Sequence, residues 1–285
     1  MTSSSTLVSA KWLMANLSAP DLRVIDATWF APFTNPPETG HDAYMRAHIP
    51  DAVYFDIDEI ADPESDLSHT FPPSHVFSSR VRKLGLGDGN KLVVYDQNNF
   101  FAAARVWWMF RAMGFADVLV LDGGLQAWIE AGGEVDDIPP VAVERHLTPR
   151  VRADLLKTKA QMAALVEKGG ATIIDARPAG RFTGDAPEPR KGLSSGHMPG
   201  SVNLPGSALI ENGFLKPADA LRALFKEAGI DPDKPIVTSC GSGVTAAVTA
   251  LALAVLGNGH VAVYDGSWTE WALDGSLPIA TGPAV

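Results

Sequence analysis

Short β-branched apolar runs alternate with longer helical stretches along the whole chain. In the first half, "RVID" (Arg23–Asp26), "KLVVYD" (Lys91–Asp96) and "VLVLD" (Val118–Asp122) have the length and branching of strands. "AAARVWWMFRAMG" (Ala102–Gly114) carries apolar residues at helical spacing and ends in glycine. In the second half, "TIID" (Thr172–Asp175), "PIVTS" (Pro235–Ser239) and "VAVYD" (Val261–Asp265) read as strands. "ADALRALFKEAGI" (Ala218–Ile230) and "TAAVTALALAVLG" (Thr245–Gly257) read as helices. Near the start, Ser9 predicts an N-cap for a short amphipathic helix with Trp12, Leu13 and Leu17 on one face. Short apolar strands alternating with helices predict an α/β fold of mostly parallel sheets covered on both faces.

The pattern also repeats. "LRVIDATWF" (Leu22–Phe30) answers to "ATIIDARPAGRF" (Ala171–Phe182), and "HIPDAVYFD" (His48–Asp56) to "HMPGSVNLP" (His197–Pro205). "KLVVYD" answers to "PIVTSC" (Pro235–Cys240), and "VLVLDGGLQAW" (Val118–Trp128) to "VAVYDGSWTEW" (Val261–Trp271). Four matched segments in one order mean two copies of a single unit. The stretch "GGEVDDIPPVAVERHLTPR" (Gly132–Arg150) is polar and broken by Pro139, Pro140 and Pro149. It predicts a first domain over 1–138, a linker over 139–155 and a second domain over 156–285.

Composition narrows the function. A net charge of −10 argues against nucleic acid, whose phosphates need a basic field. One cysteine forms no internal disulfide and needs no oxidising compartment. The first residues, "MTSSSTLVSAKWLMANLS", lack a basic then apolar leader, and no run of apolar residues has the length to span a bilayer. The expectation is a cytoplasmic protein with no membrane partner.

That one cysteine, Cys240, closes a strand and precedes "GSGVT" (Gly241–Thr245) and a helix. A free cysteine is often only a buried apolar residue. Here, however, it stands at the carboxyl end of a strand, where ligands gather in parallel sheets. Gly241 and Gly243 let the backbone curl so that N–H groups point inward, and such a nest at a helix N-terminus stabilises a thiolate. Cys240 therefore reads as a nucleophile, with Gly241, Gly243, Val244 and Thr245 supplying the nest. The matching position in the first half is Asp96, which takes up no sulfur atom, and "QNNFFAAAR" after it holds no glycine.

The repeat, "SGHMPGSVNLP", "CGSGVTA" and "YDGSWTEW" together resemble the two-domain rhodanese family, and within it the 3-mercaptopyruvate sulfurtransferases. The resemblance covers nearly the whole chain. It implies two tandem rhodanese-like domains, with catalysis in the second and a first domain that walls the site. It implies that Cys240 takes sulfur from 3-mercaptopyruvate as a persulfide, releases pyruvate, and passes the sulfur to thiols, cyanide or thioredoxin. It further implies that Arg181 and Arg190, in "GRF" and "PEPR", bind the substrate carboxylate. Ser242 joins a proton relay with His69 and Asp58 on the same ground. Asp56 competes with Asp58, since a strand over "YFDID" points both side chains the same way. His48 and His197 recur in both repeats as H-x-P, which marks them as structural.

The side chains of the loop itself are all neutral, whereas a thiosulfate site is expected to present cations there. Thiosulfate sulfurtransferase is the alternative activity, and a non-catalytic sulfur carrier or binding module a second. A cysteine phosphatase would need an arginine to close the loop, where Thr245 and Ala246 stand. No zinc-type Cys/His cluster and no phosphate loop occurs, so neither a metal nor another cofactor is expected.

Overall fold

The computed structural model describes residues 6–284; the first five residues, where the reading of the leader begins, and Val285 lie outside them. The chain divides into two compact units. One runs to Glu64 and adds Phe71–Arg152 and Asn212–Leu215. The other takes Ser65–Thr70, Ala153–Glu211 and the chain from Lys216 onward.

Each unit is built on a five-stranded sheet in which every pairing is parallel. In the first unit the strands lie in the order Leu7–Val8, Val118–Leu121, Lys91–Tyr95, Leu22–Asp26, Val53–Tyr54. In the second the order is Leu156–Lys157, Ala262–Tyr264, Ile236–Ser239, Thr172–Asp175, Val202–Asn203. The two orders match strand for strand, as the repeat demands. The middle strand of each sheet leads directly into Asp96 or Cys240.

The helices after these middle strands, Ala103–Ala112 and Ala246–Val255, are buried along nearly their whole length. Ala246–Val255 is apolar on all sides but for Thr249, the pattern of a helix with no solvent face, whereas Ala103–Ala112 also buries Arg105, whose guanidinium lies over the Trp108 ring. Three of the other described helices carry side-chain N-caps. Ser9 accepts a hydrogen bond from the Trp12 N–H, and Trp12 and Leu17 pack on the first core beside buried Leu13. Thr158 and Gln161 form a reciprocal cap on Lys159–Lys168. Val24, Tyr95, Leu121 and Trp128 anchor the first core, and Ile173, Val237, Tyr264 and Trp271 the second.

The recurring histidines do the same work in both units. His48 Nδ1 lies 2.8 Å from the Tyr44 carbonyl and its ring stacks on Tyr44. His197 Nδ1 lies 2.8 Å from the Phe182 carbonyl and its ring stacks on Phe182. Each also bridges a segment further along the chain through its backbone, His48 to Asp136 and His197 to Ala280. Among the described residues, no helix is long and apolar enough to cross a membrane.

Candidate active site

Strand Ile236–Ser239 is wholly buried and delivers Cys240 to its carboxyl end, where only 1 % of the residue is exposed. The next segment of the repeat fixes the loop backbone. The Ser267 hydroxyl accepts from the Cys240 N–H at 3.1 Å and donates to the Tyr264 carbonyl. The Cys240 carbonyl accepts from the Trp268 N–H, and the Gly241 carbonyl from both the N–H and the hydroxyl of Thr269. "YDGSWTEW" therefore works as a clamp on the cysteine loop. Gly243 takes the left-handed turn at φ +79°, which glycine adopts without a Cβ clash.

Arg181 and Arg190 reach this loop from the segment after Thr172–Asp175. A Cβ built on Gly241 would lie 3.1 Å from Arg181 Nη2 and 3.6 Å from Arg190 Nη1. Two guanidinium groups thus stand over the residue next to Cys240, and glycine leaves them room. Arg181 is held from behind by Glu188, which accepts from Nε at 3.0 Å and Nη2 at 2.5 Å. Glu188 also accepts from Arg177 Nη1 at 2.9 Å. Arg177 is itself paired with Asp175, donates to the Gly196 carbonyl, and lies over the Trp268 ring at 4.2 Å. The chain Asp175–Arg177–Glu188–Arg181 is the part of the site that the sequence reading missed. Its signal was present, since Arg177 follows the strand and Glu188 lies within "PEPR".

The expected relay residues fall as follows. Ser242, Val244 and Thr245 lie in the cysteine loop, with the Val244 and Thr245 carbonyls accepting from Ala247 and Val248 as the helix begins. His69 is 5 % exposed, sits at φ +59°, and belongs to the unit that contains Cys240. Asp58 belongs to the other unit, where its Oδ2 accepts from Trp29 Nε1 at 2.7 Å. The strand expected over "YFDID" stops at Tyr54, because Asp56 Oδ1 accepts from the N–H groups of Asp58 and Glu59 and turns the chain. The two aspartates therefore have different tasks. Asp56 caps a turn, with burial raising its pKa, while Asp58 presents its carboxylate to Trp29.

The first unit holds a counterpart that the glycine-free sequence concealed. Asp96 Oδ1 accepts from the N–H groups of Asn98 and Phe100, and Oδ2 from those of Ala102 and Ala103. Asn99 and Phe100 supply the left-handed residues, at φ +54° and +62°. The loop is an anion nest filled by its own carboxylate. Burial raises the Asp96 pKa, and the four N–H groups oppose that rise only in part. As in the second unit, the residue's carbonyl is clamped from the next repeat segment, here by the Leu125 N–H.

The description of the rhodanese-like domain matches residues 9–131 and 158–274, one copy in each half. The chain belongs to the rhodanese family. This rhodanese is 38 % identical to the 3-mercaptopyruvate sulfurtransferase of Escherichia coli (strain K12), over 97 % of its own length and 98 % of that protein. It is 40 % identical to the thiosulfate sulfurtransferase of Bos taurus, over 93 % of its own length and 91 % of that protein. Among solved structures it is similar to SseA from Escherichia coli, a 3-mercaptopyruvate sulfotransferase. The TM-score is 0.85 at 37 % identity, covering 93 % of this rhodanese and 99 % of SseA.

Proposed function

We propose that this rhodanese is a 3-mercaptopyruvate sulfurtransferase. One observation carries the reading: Arg181 and Arg190 converge over Gly241, beside a cysteine whose loop side chains are all neutral. Positive charge is thereby set to one side of the nucleophile. That arrangement suits a donor whose sulfur and carboxylate are separate groups, as in mercaptopyruvate. Relatives named for mercaptopyruvate match this chain over nearly its whole length and favour the same donor, although a thiosulfate sulfurtransferase is also similar. The placement of charge supports that reading.

In the proposed reaction the planar forks of Arg181 and Arg190 hold the donor carboxylate. The Cys240 thiolate attacks the donor sulfur, forming an S–S bond as the carbon–sulfur bond breaks. The electron pair of that bond leaves on pyruvate enolate, which takes up a proton. Ser242, His69 and Asp58 are the proposed proton carriers, removing the donor thiol proton and returning one to the enolate. The inward N–H groups of the loop hold the resulting persulfide. The first unit supports this role for the loop. There the Asn98 and Phe100 N–H groups, which bind the Asp96 carboxylate, are the repeat counterparts of those of Ser242 and Val244. An acceptor thiolate, cyanide or reduced thioredoxin then attacks the outer sulfur and regenerates the Cys240 thiolate. Of these acceptors thioredoxin rests on family resemblance alone. The single cysteine suits a reducing cytoplasm.

Initial rates with the two donors, cyanide being the acceptor, test the reading. The expected kcat/KM for 3-mercaptopyruvate exceeds that for thiosulfate by about tenfold or more, since the clamp and the neutral loop favour one geometry of charge. A preference for thiosulfate would replace this reading with the alternative activity.

A further inference from the structure

Behind the two arginines lies a buried carboxylate that the reaction as written does not use. The Glu188 side chain is 2 % exposed and bonded to two guanidinium groups, Arg181 and Arg177. It occupies one edge of Arg181, through Nε and Nη2. Nη2, whose second proton Glu188 does not take, approaches Gly241 in the cysteine loop. Arg177 cannot turn toward a ligand, since Asp175, Gly196 and the Trp268 ring hold it on its other sides. In formal charge, Asp175 and Glu188 offset Arg177 and Arg181 one for one.

We propose that Glu188 determines donor specificity. It turns Arg181 toward the Cys240 loop and cancels one positive charge there, so that the site selects a monoanionic carboxylate over the dianion thiosulfate. Two physical effects act together. A carboxylate has two coplanar oxygens that match the exposed edge of a fixed fork, whereas the tetrahedral thiosulfate head gains less from the fork's orientation. A unit charge a few ångströms away also acts on a dianion with twice the energy it exerts on a monoanion, so removing Glu188's charge favours thiosulfate. This inference rests on the donor reading above.

The test compares both donors on wild type, Glu188→Gln and Glu188→Asp, with cyanide as acceptor and folding checked by circular dichroism. In Glu188→Gln the ratio of kcat/KM for thiosulfate to that for mercaptopyruvate rises at least about tenfold, equivalent to about 1.4 kcal/mol. Much of the change is a raised KM for mercaptopyruvate, because Arg181 is no longer oriented. Glu188→Asp keeps the charge but shortens the reach. Its ratio therefore rises only about threefold, through a KM for mercaptopyruvate raised by about the same factor.

An equal loss on both donors in Glu188→Gln would mark a merely structural residue and overturn the proposal. If Glu188→Gln does not fold, Glu188→Asp decides alone. A tenfold shift in its ratio refutes the charge effect, and an unchanged KM refutes the positioning. Failure of the donor reading is separable, because it shows in the wild type as a preference for thiosulfate. A wild type that prefers mercaptopyruvate, with an unshifted ratio in Glu188→Gln, contradicts only the role of Glu188.

Discussion

Exchanging Cys240 for serine lowers kcat/KM on either sulfur donor by about four orders of magnitude or more, because a serine hydroxyl forms no persulfide. The loss is chemical and not a failure of the fold. The bonds that fix residue 240 are made by its backbone, with the N–H donating to Ser267 and the carbonyl accepting from Trp268. Serine keeps both. It is also nearly the size of cysteine, so the wholly buried strand before it and the helix Ala246–Val255 after it remain packed. Steady-state rates beside a urea unfolding curve separate the two effects. The unfolding free energy should stay within about 1–2 kcal/mol of wild type, the usual cost of a small polar exchange at a buried site. Retention of more than a per cent of the activity would place the sulfur-accepting group elsewhere. Because the chain has no other cysteine, that result would refute the persulfide mechanism itself.

The second large effect belongs to the first unit and concerns stability. In Asp96→Asn one carboxylate oxygen becomes an NH2 group, which points donors at two N–H groups that are themselves donors. Whichever way the amide turns, it faces the pair from Asn98 and Phe100 or the pair from Ala102 and Ala103. Two N–H groups lose their acceptor, at about 1–3 kcal/mol each, so the unfolding free energy should fall by about 2–6 kcal/mol. Urea unfolding followed by tryptophan fluorescence reads this directly. An unchanged midpoint would mean that the carboxylate is not what holds the loop in place. The residue that replaces the nucleophile in the first repeat is thus an internal anion. It fills a nest of the kind proposed to hold a sulfur anion in the second.

Much of the architecture was legible because its signals are local and repeated. The six strand runs and three long helices quoted from the sequence fall where periodicity set them, to within three residues at the ends. The shared strand order follows from two copies of one pattern. Cys240 was legible because a strand end, two glycines and a helix start coincide there. The remainder depended on contacts that no periodicity encodes. The turn at Asp56 overrode an apparent strand because one short carboxylate side chain captured two N–H groups. The nest around Asp96 was hidden because Asn99 and Phe100, not glycine, adopt the left-handed backbone. Arg177 and Glu188 lie outside any periodic pattern, and only folding shows their side chains buried against each other, with Arg177 over Trp268. The membership of Ser65–Thr70 in the second unit and of Asn212–Leu215 in the first has no sequence signature, because neither segment is long enough to carry a period of its own.

The central claim is that Cys240 accepts the sulfur atom of 3-mercaptopyruvate. The most direct measurement is intact-protein mass spectrometry after brief exposure to that donor with no acceptor present. The account predicts a mass gain of one sulfur atom, located by peptide mapping at Cys240, released on adding cyanide and absent in Cys240→Ser. No gain in the wild type, or the same gain in Cys240→Ser, would contradict it.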